Sequence, residues 1–297
     1  MVMKVLSSRV DLSGCVDLGS NDDLVLGIAG NSPGYLAQTG EIKAFTENQL
    51  EQNGPKALFP IYVKGHDSFL GISPFCQSQL RLPASLDAVT QMEPELAVRF
   101  EVEYSGDGKI SELRPIALTL INDATHRNRV VSKLSEKKNW GPQSKGALQQ
   151  QIDIDSLQVD GIEHFRICGF LGRNGEWVQC SEDVSVSQYT VFYQALSDWI
   201  VQRIAQQRDE FALNDIDQLL EQAKHPSSIT VAIGAPSYTQ ECCEHQLQPG
   251  DETVVCLYDQ RHYRLNDIEK QITEPALDGV DSQHKLLLRQ KVVCHKN

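Results

Sequence analysis

Two carboxylates flank a proline at Glu93-Pro94-Glu95, at the mouth of an alternating run over residues 96–104. Residues i and i+2 of a strand face the same side, so both acids could converge on one cation. The same row continues through Arg99, Glu101 and Glu103, broken only by Ala97, while Leu96, Val98, Phe100 and Val102 fill the other face. That pattern equally describes a solvated strand face. Glu101-Val102-Glu103 repeats the spacing and is an internal control. A third acid, Asp123, follows the apolar run 115–121 within Asn122-Asp123-Ala124-Thr125-His126-Arg127. At a strand end entering a helix, it serves either as an N-cap or as a metal ligand. Trp140 and Lys145 come next, in a loop containing Gly, Pro and Ser.

Other constellations carry less chemistry. Gly30-Asn31-Ser32-Pro33-Gly34 matches the spacing of a nucleophile elbow. The residue after the serine must donate its N–H to an oxyanion, and Pro33 has none. Ser32 is therefore no hydrolase nucleophile. Cys242-Cys243-Glu244-His245 is the densest thiol cluster, but adjacent cysteines reach one zinc ion poorly. Eight cysteines in 297 residues, with no export-like segment at residues 1–10, are expected to be reduced thiols. Neither a P-loop nor a dinucleotide fingerprint appears. A net charge of −13 disfavours nucleic acid, and no apolar run approaches a membrane span. The expected location is cytoplasmic.

The elements that must position these residues are mostly strands. Strand patterns cover residues 24–28, 60–64, 96–104, 109–121 and 162–171, with hairpin turns at Ser105-Gly106-Asp107-Gly108 and Asn174-Gly175. Apolar residues at helical spacing predict a helix over 188–207, and a second over 211–223 capped by Asn214 or Asp215. Strands return at 229–234 and 252–258, followed by a short final hairpin. Many strands and few helices without βαβ alternation predict a β-rich α+β fold.

Taken in order, the motifs resemble the fumarylacetoacetate hydrolase family over residues 25–268. Its E-x-E-L strand is similar to Glu93-Pro94-Glu95-Leu96, and its N-D-x-x-x-R turn to Asn122-Asp123 through Arg127. Trp140 and Lys145 resemble a family tryptophan and lysine. Asn174-Gly175-Glu176 with Gln179 resembles its N-G-E hairpin, Gly234-Ala235-Pro236 its G-T-P turn, and Leu247-Gln248-Pro249-Gly250-Asp251 its closing strand entry. Pro60 to Lys64 is similar to its proline-to-lysine strand.

The resemblance implies a mixed β-sheet roll of that family's C-terminal-domain type, forming a homodimer. Residues 1–80 would supply N-terminal strands and a lid-like segment, and 81–297 the roll, with a helical insertion near 203–224. Glu93, Glu95 and Asp123 would be the metal ligands. Their oxygens favour Mg²⁺ first, then Mn²⁺ or Ca²⁺. Three clustered acids repel one another, so their burial is expected to require the ion. Family activities act on small oxo-acids and diketo-acids through a metal-stabilised enolate, by decarboxylation, keto–enol isomerisation or C–C hydrolysis. Lys145 would neutralise developing negative charge. Arg127, Gln179, Ala235 and Pro236 would bind substrate.

The departures from the family bear on the reaction. Hydrolytic members carry a lid histidine and glutamate that activate water; aligned on Gly30-Asn31, those positions hold Tyr35 and Gln38. Neither is a base near neutral pH. His66, His126 and Glu41 are weaker substitutes. Ala235 lacks the threonine hydroxyl. The expected reaction shifts toward decarboxylation or isomerisation, and the alternative is a non-catalytic member that binds a metal, a small acid or a protein partner.

Overall fold

The computed structural model describes residues 23–32, 38–39, 54–274 and 283–294. Among them, sixteen strands form three sheets. The largest runs in the order β2 (Ala57–Val63), β1 (Leu24–Ala29), β14 (Ser228–Ala232), β6 (Pro94–Tyr104), β7 (Ile110–Asn122), β9 (Lys145–Ala147) and β3 (Phe75–Cys76), with β10 (Ile152–Asp153) also on β7. β1 runs parallel to β14, whereas β6 is antiparallel to both β14 and β7, so the sheet is mixed. The second sheet orders β12 (Glu176–Gln179), β11 (Phe165–Arg173), β15 (Glu252–Asp259), β16 (Lys285–Val293) and β4 (Gln79–Arg81), with β13 (Val184–Ser185) on β11. β5 (Thr90–Gln91) and β8 (Thr125–His126) make a small ribbon.

The strand alternation that marks β6 in the sequence places Leu96, Val98, Phe100 and Val102 on the main core. Ile167 and Leu171 of β11, Val255 and Leu257 of β15, and Leu288 of β16 join them there. One helix, α1 (Gln194–Gln206), adds Leu196, Ile200 and Ile204 to the same cluster. The architecture is the β-rich mixed-sheet roll expected. The Asn174-Gly175 turn also forms as expected, with both residues at positive φ (54° and 87°).

Four local expectations are corrected. The helix expected from residue 188 starts only at Gln194, because the buried Asn31 side chain claims the backbone just before it. Its Nδ2 donates to the carbonyl of Val191 at 3.1 Å, and its Oδ1 accepts from the Val191 N–H at 2.9 Å. The helix expected from 211 is α2 (Ile216–Gln222), capped by Asp215, whose carboxylate accepts from the Gln218 N–H. No helix follows Asp123; β8 does, which removes the N-cap reading of that acid. The final hairpin is instead α3 (Leu265–Thr273) followed by β16. Ile268 and Ile272, four apart on α3, bury against Cys168, Phe170 and Val254.

The cysteines also differ from expectation, since Cys180 and Cys242 form a disulfide across a sequence separation of 62. Sequence spacing could not pair them: the residue after β12 and the turn before Leu247 meet only after folding. Closing a loop of that length removes entropy from the unfolded chain, which is typically worth about 2–4 kcal/mol. Peptide mass spectrometry without reductant should recover a linked Cys180–Cys242 pair. Cys242→Ser should lower the urea-unfolding free energy by that amount, and recovery of both thiols free would overturn the assignment.

Candidate metal centre

The antiparallel register of β6 and β7 sets Pro94 opposite Asn122 and Glu95 opposite Ile121. Two further bonds lock the strand ends together: the Asp123 N–H donates to the Glu93 carbonyl at 2.8 Å, and the Glu93 N–H to Asn122 Oδ1 at 3.1 Å. Asn122 ties this corner to the second sheet, donating to Gln290 Oε1 at 3.0 Å. One ligand oxygen each from Glu93, Glu95 and Asp123 therefore lies within 4.8 Å of the others. All three residues are at most 2% exposed. Farther along the same face, Glu101 and Glu103 are exposed. The row that reads as one polar stripe in the sequence is thus buried at its start and solvated at its end. The cover is Phe59, Leu134 and Leu213, which cluster with Ala97.

Three basic side chains enclose the acids. Lys138 Nζ lies 2.7 Å from Glu93 Oε2 and 2.6 Å from Asp123 Oδ2, bridging the two carboxylates. Arg127 lies 2.8 Å from Glu93 Oε1, and its guanidinium also donates to Gln91 Oε1 and to the Tyr238 hydroxyl, both at 2.9 Å. Lys145 is fully buried, 3.2 Å from Asp123 Oδ1, and donates to the Ala124 carbonyl. Its ammonium stands 4.8 Å from the centre of the Trp140 ring, a cation–π contact that joins the two residues. Glu95 is held differently: Oε2 accepts the Gly234 N–H at 2.8 Å. Gly234 has φ 111°, which a side chain would oppose, and its carbonyl accepts from the Tyr189 hydroxyl.

These surroundings separate two chemically identical acids. Burial pushes the Glu93 carboxyl up, but Lys138 and then Arg127 outweigh it and hold the group at about 2. Burial raises Glu95 well above the usual range, and Asp123 and Glu93 raise it further. Burial lowers the Lys145 ammonium to about 8 against the opposing pull of Asp123. Arg127, Lys138 and Lys145 already pair with two of the three carboxylates, Glu93 and Asp123. The donor chemistry nonetheless fits a metal, with three convergent carboxylates supplying only hard oxygens.

The remaining sequence candidates fall into several places. Ala235 is buried and lines a small cavity beside Glu93 and Glu95, together with Asn31, Ser32 and Phe59; Pro236 follows it and is also buried. Gln179 donates to the Ser181 carbonyl at 2.9 Å. Gln38 clamps the Tyr238 backbone at both ends, accepting from its N–H at 2.7 Å and donating to its carbonyl at 2.9 Å. His126 packs against the edge of Trp140, and His66 Nδ1 accepts from the Ser68 N–H in a turn. Tyr35 and Glu41 lie outside the described residues. Lys138 is the residue that sequence reasoning missed. In Lys137-Lys138-Asn139 it reads as a solvated charge, and no spacing signal marks it.

The two glutamates should respond oppositely to neutralisation in the metal-free protein. Glu93 holds a folded-state value below its ordinary 4.5, so its stabilisation is complete above that pH and is lost as pH falls toward 2. Glu95 is raised, so the folded state keeps its proton longer than the unfolded chain does, and stability falls as pH rises above 4.5. Urea unfolding at pH 7 should therefore find Glu95→Gln at least as stable as wild type. Glu93→Gln, which strips a partner from two buried cations, should lose about 3–5 kcal/mol. The reverse order would refute this charge assignment.

Solved structures share this architecture. Cg1458, determined with an inhibitor, superposes with a TM-score of 0.54 at 16% identity, covering 92% of this chain and 78% of that one. The apo form of 2-keto-3-deoxy-D-arabinonate dehydratase gives 0.52 at 13% identity, covering 93% and 75%. A 5-carboxymethyl-2-hydroxymuconate delta-isomerase from Mycobacterium smegmatis gives 0.50 at 12%, covering 93% and 80%. At these identities the likeness is one of fold, and it is the fumarylacetoacetate hydrolase fold that the motif series implies. The chain has no significant match among curated proteins. Residues 41–292 match the family described as "Family of unknown function (DUF5718)", and the chain belongs to that family.

Proposed function

We propose that this protein is a metal-dependent enzyme acting on a small oxo-acid or diketo-acid, with Glu93, Glu95 and Asp123 as ligands of a divalent cation, Mg²⁺ before Mn²⁺ or Ca²⁺. The observation that carries this reading is the convergence of three buried carboxylates within 4.8 Å, on strand ends that open toward a cavity. A bound ion would supply Lewis acidity toward neighbouring carbonyl and carboxylate oxygens of a ligand. The names of two structural neighbours, a keto-acid dehydratase and a delta-isomerase, are in keeping with that chemistry.

The chain's own residues would divide the remaining work. Arg127 orients Glu93, and the Gly234 N–H orients Glu95, so the ligand oxygens are held before any ion arrives. Lys145, with its ammonium lowered to about 8 by burial, would neutralise negative charge that develops on the ligand. Ala235, with Pro236 next to it in the chain, would form a wall of the binding cavity, and Gln179 on β12 would be a further substrate contact. Decarboxylation or isomerisation is preferred to C–C hydrolysis. Gln38 cannot accept a proton and is committed to the Tyr238 backbone. A homodimer belongs to the same reading.

A second reading, a non-catalytic binder of small acids, is favoured by one observation: Arg127, Lys138 and Lys145 already pair with Glu93 and Asp123. Thermal unfolding with Mn²⁺ or Mg²⁺, with and without oxalate, separates the two. Metal at about 100 times its dissociation constant should stabilise the fold by about 2.7 kcal/mol. Oxalate should enlarge the shift, and Asp123→Asn should abolish it. Metal-dependent turnover of oxaloacetate or an acylpyruvate, lost in Glu95→Ala, would then establish catalysis. No shift with either ion would leave the non-catalytic reading in the lead.

A further inference from the structure

Lys138 occupies the space between one carboxylate oxygen of Glu93 and one of Asp123. Its ammonium sits 2.7 Å from Glu93 Oε2 and 2.6 Å from Asp123 Oδ2, and the residue is only 6% exposed. A divalent ion bound to those oxygens would sit about 2.1 Å from each. The ammonium and the ion therefore cannot occupy that space together. Arg127 and Lys145 contact the other oxygens of the same carboxylates, Glu93 Oε1 and Asp123 Oδ1.

The backbone that carries Lys138 is firmly placed. Residues Leu134–Lys137 form a turn of 3-10 helix, with Leu134 buried under the sheet face. The next residue, Asn139, donates its side-chain N–H groups to the carbonyls of Ile61, Phe69 and Ile72 at 3.0–3.3 Å. Motion of the ammonium therefore falls to its four-carbon stem, which turns about single bonds. In this same position Nζ lies 5.1 Å from the centre of the Phe59 ring, which also lines the cavity, so an aromatic face borders the route by which the ammonium would leave. Beside Lys138 the cavity is about 20 Å³, room for about one water, so the side chain itself fills the approach to the carboxylates.

We propose that Lys138 is an internal competitor for the metal: its ammonium closes the carboxylate site, and a divalent ion binds only by displacing it toward Phe59 and the cavity. This rests on the metal reading above and adds a determinant of affinity to it. Site occupancy becomes an exchange of one cation for another, so metal affinity is weaker than the bare triad would give. The residue acts on metal binding and is not itself assigned to the chemical step.

Mn²⁺ binding measured by water-proton relaxation tests the idea without any assay of activity. Lys138→Met should bind Mn²⁺ at least tenfold more tightly than wild type, and Asp123→Asn should remove binding in both backgrounds. Equal or weaker binding by Lys138→Met, with the Asp123→Asn loss retained, would overturn the competitor and leave the metal site standing. Absence of Mn²⁺ binding in both wild type and Lys138→Met would overturn both. Since Lys138→Met leaves two buried carboxylates short of a partner, wild-type protein provides a second measurement. Acetylation of Lys138, followed by peptide mass spectrometry against the exposed Lys291, should accelerate severalfold at saturating Mn²⁺. A rate unchanged or slowed by bound Mn²⁺ would reject displacement.

Discussion

The arrangement depends on one constraint, the burial of three carboxylates at a single strand-pair end. Isolated carboxylates would be costly there, because water no longer screens their repulsion. The chain resolves the conflict in two ways. Glu93 and Asp123 are paired with cations, while Glu95 is pushed toward its neutral form and takes one backbone N–H. All three cations, Arg127, Lys138 and Lys145, come from the short stretch that follows Asp123. The same passage of chain thus supplies a ligand, its neutralising charges and part of its cover. A buried ionic cluster of this kind is poor at adding stability but strict about geometry, since removing any member strands the others.

Buried asparagines hold the irregular segments around that cluster. Asn31 pins the chain before α1 to the turn after β1 and reaches the Ile233 carbonyl beside Gly234. Asn122 joins the carboxylate corner to β16 through Gln290. Asn139 fixes the segment that delivers Lys138 against three carbonyls near β2. An amide offers both donors and an acceptor, so each can satisfy backbone groups that no regular ladder reaches. Such networks are effective in a core because every unmet polar group there is expensive. They satisfy backbone polar groups of the irregular segments that line this site.

The sequence was most legible where local pattern and tertiary context agree. Alternation in β6 located its core face, and the Asn-Gly turn and the Asp215 cap formed as their local chemistry dictates. The acids Glu93, Glu95 and Asp123 were legible through order and resemblance, although spacing alone could not separate them from a solvated face. Glu101 and Glu103 prove that point: they share the row and the spacing, yet are exposed. The start of α1 was illegible because a side chain 160 residues away competes for its backbone. The Cys180–Cys242 pairing was hidden for the same reason.

By itself, then, the sequence determined the β-rich class and the alternation of the central strands. Those properties are carried by residue type and period, which act over a few neighbours along the chain. Only the tertiary structure decided which acids are buried, which protons they keep and which cations face them. Lys138 shows why: its role comes from where a 3-10 turn crosses the sheet, and nothing in Lys137-Lys138-Asn139 encodes that locally. Burial, charge balance and the competition of cations for shared oxygens are properties of distance in space, and distance in space exists only once the sheets have closed.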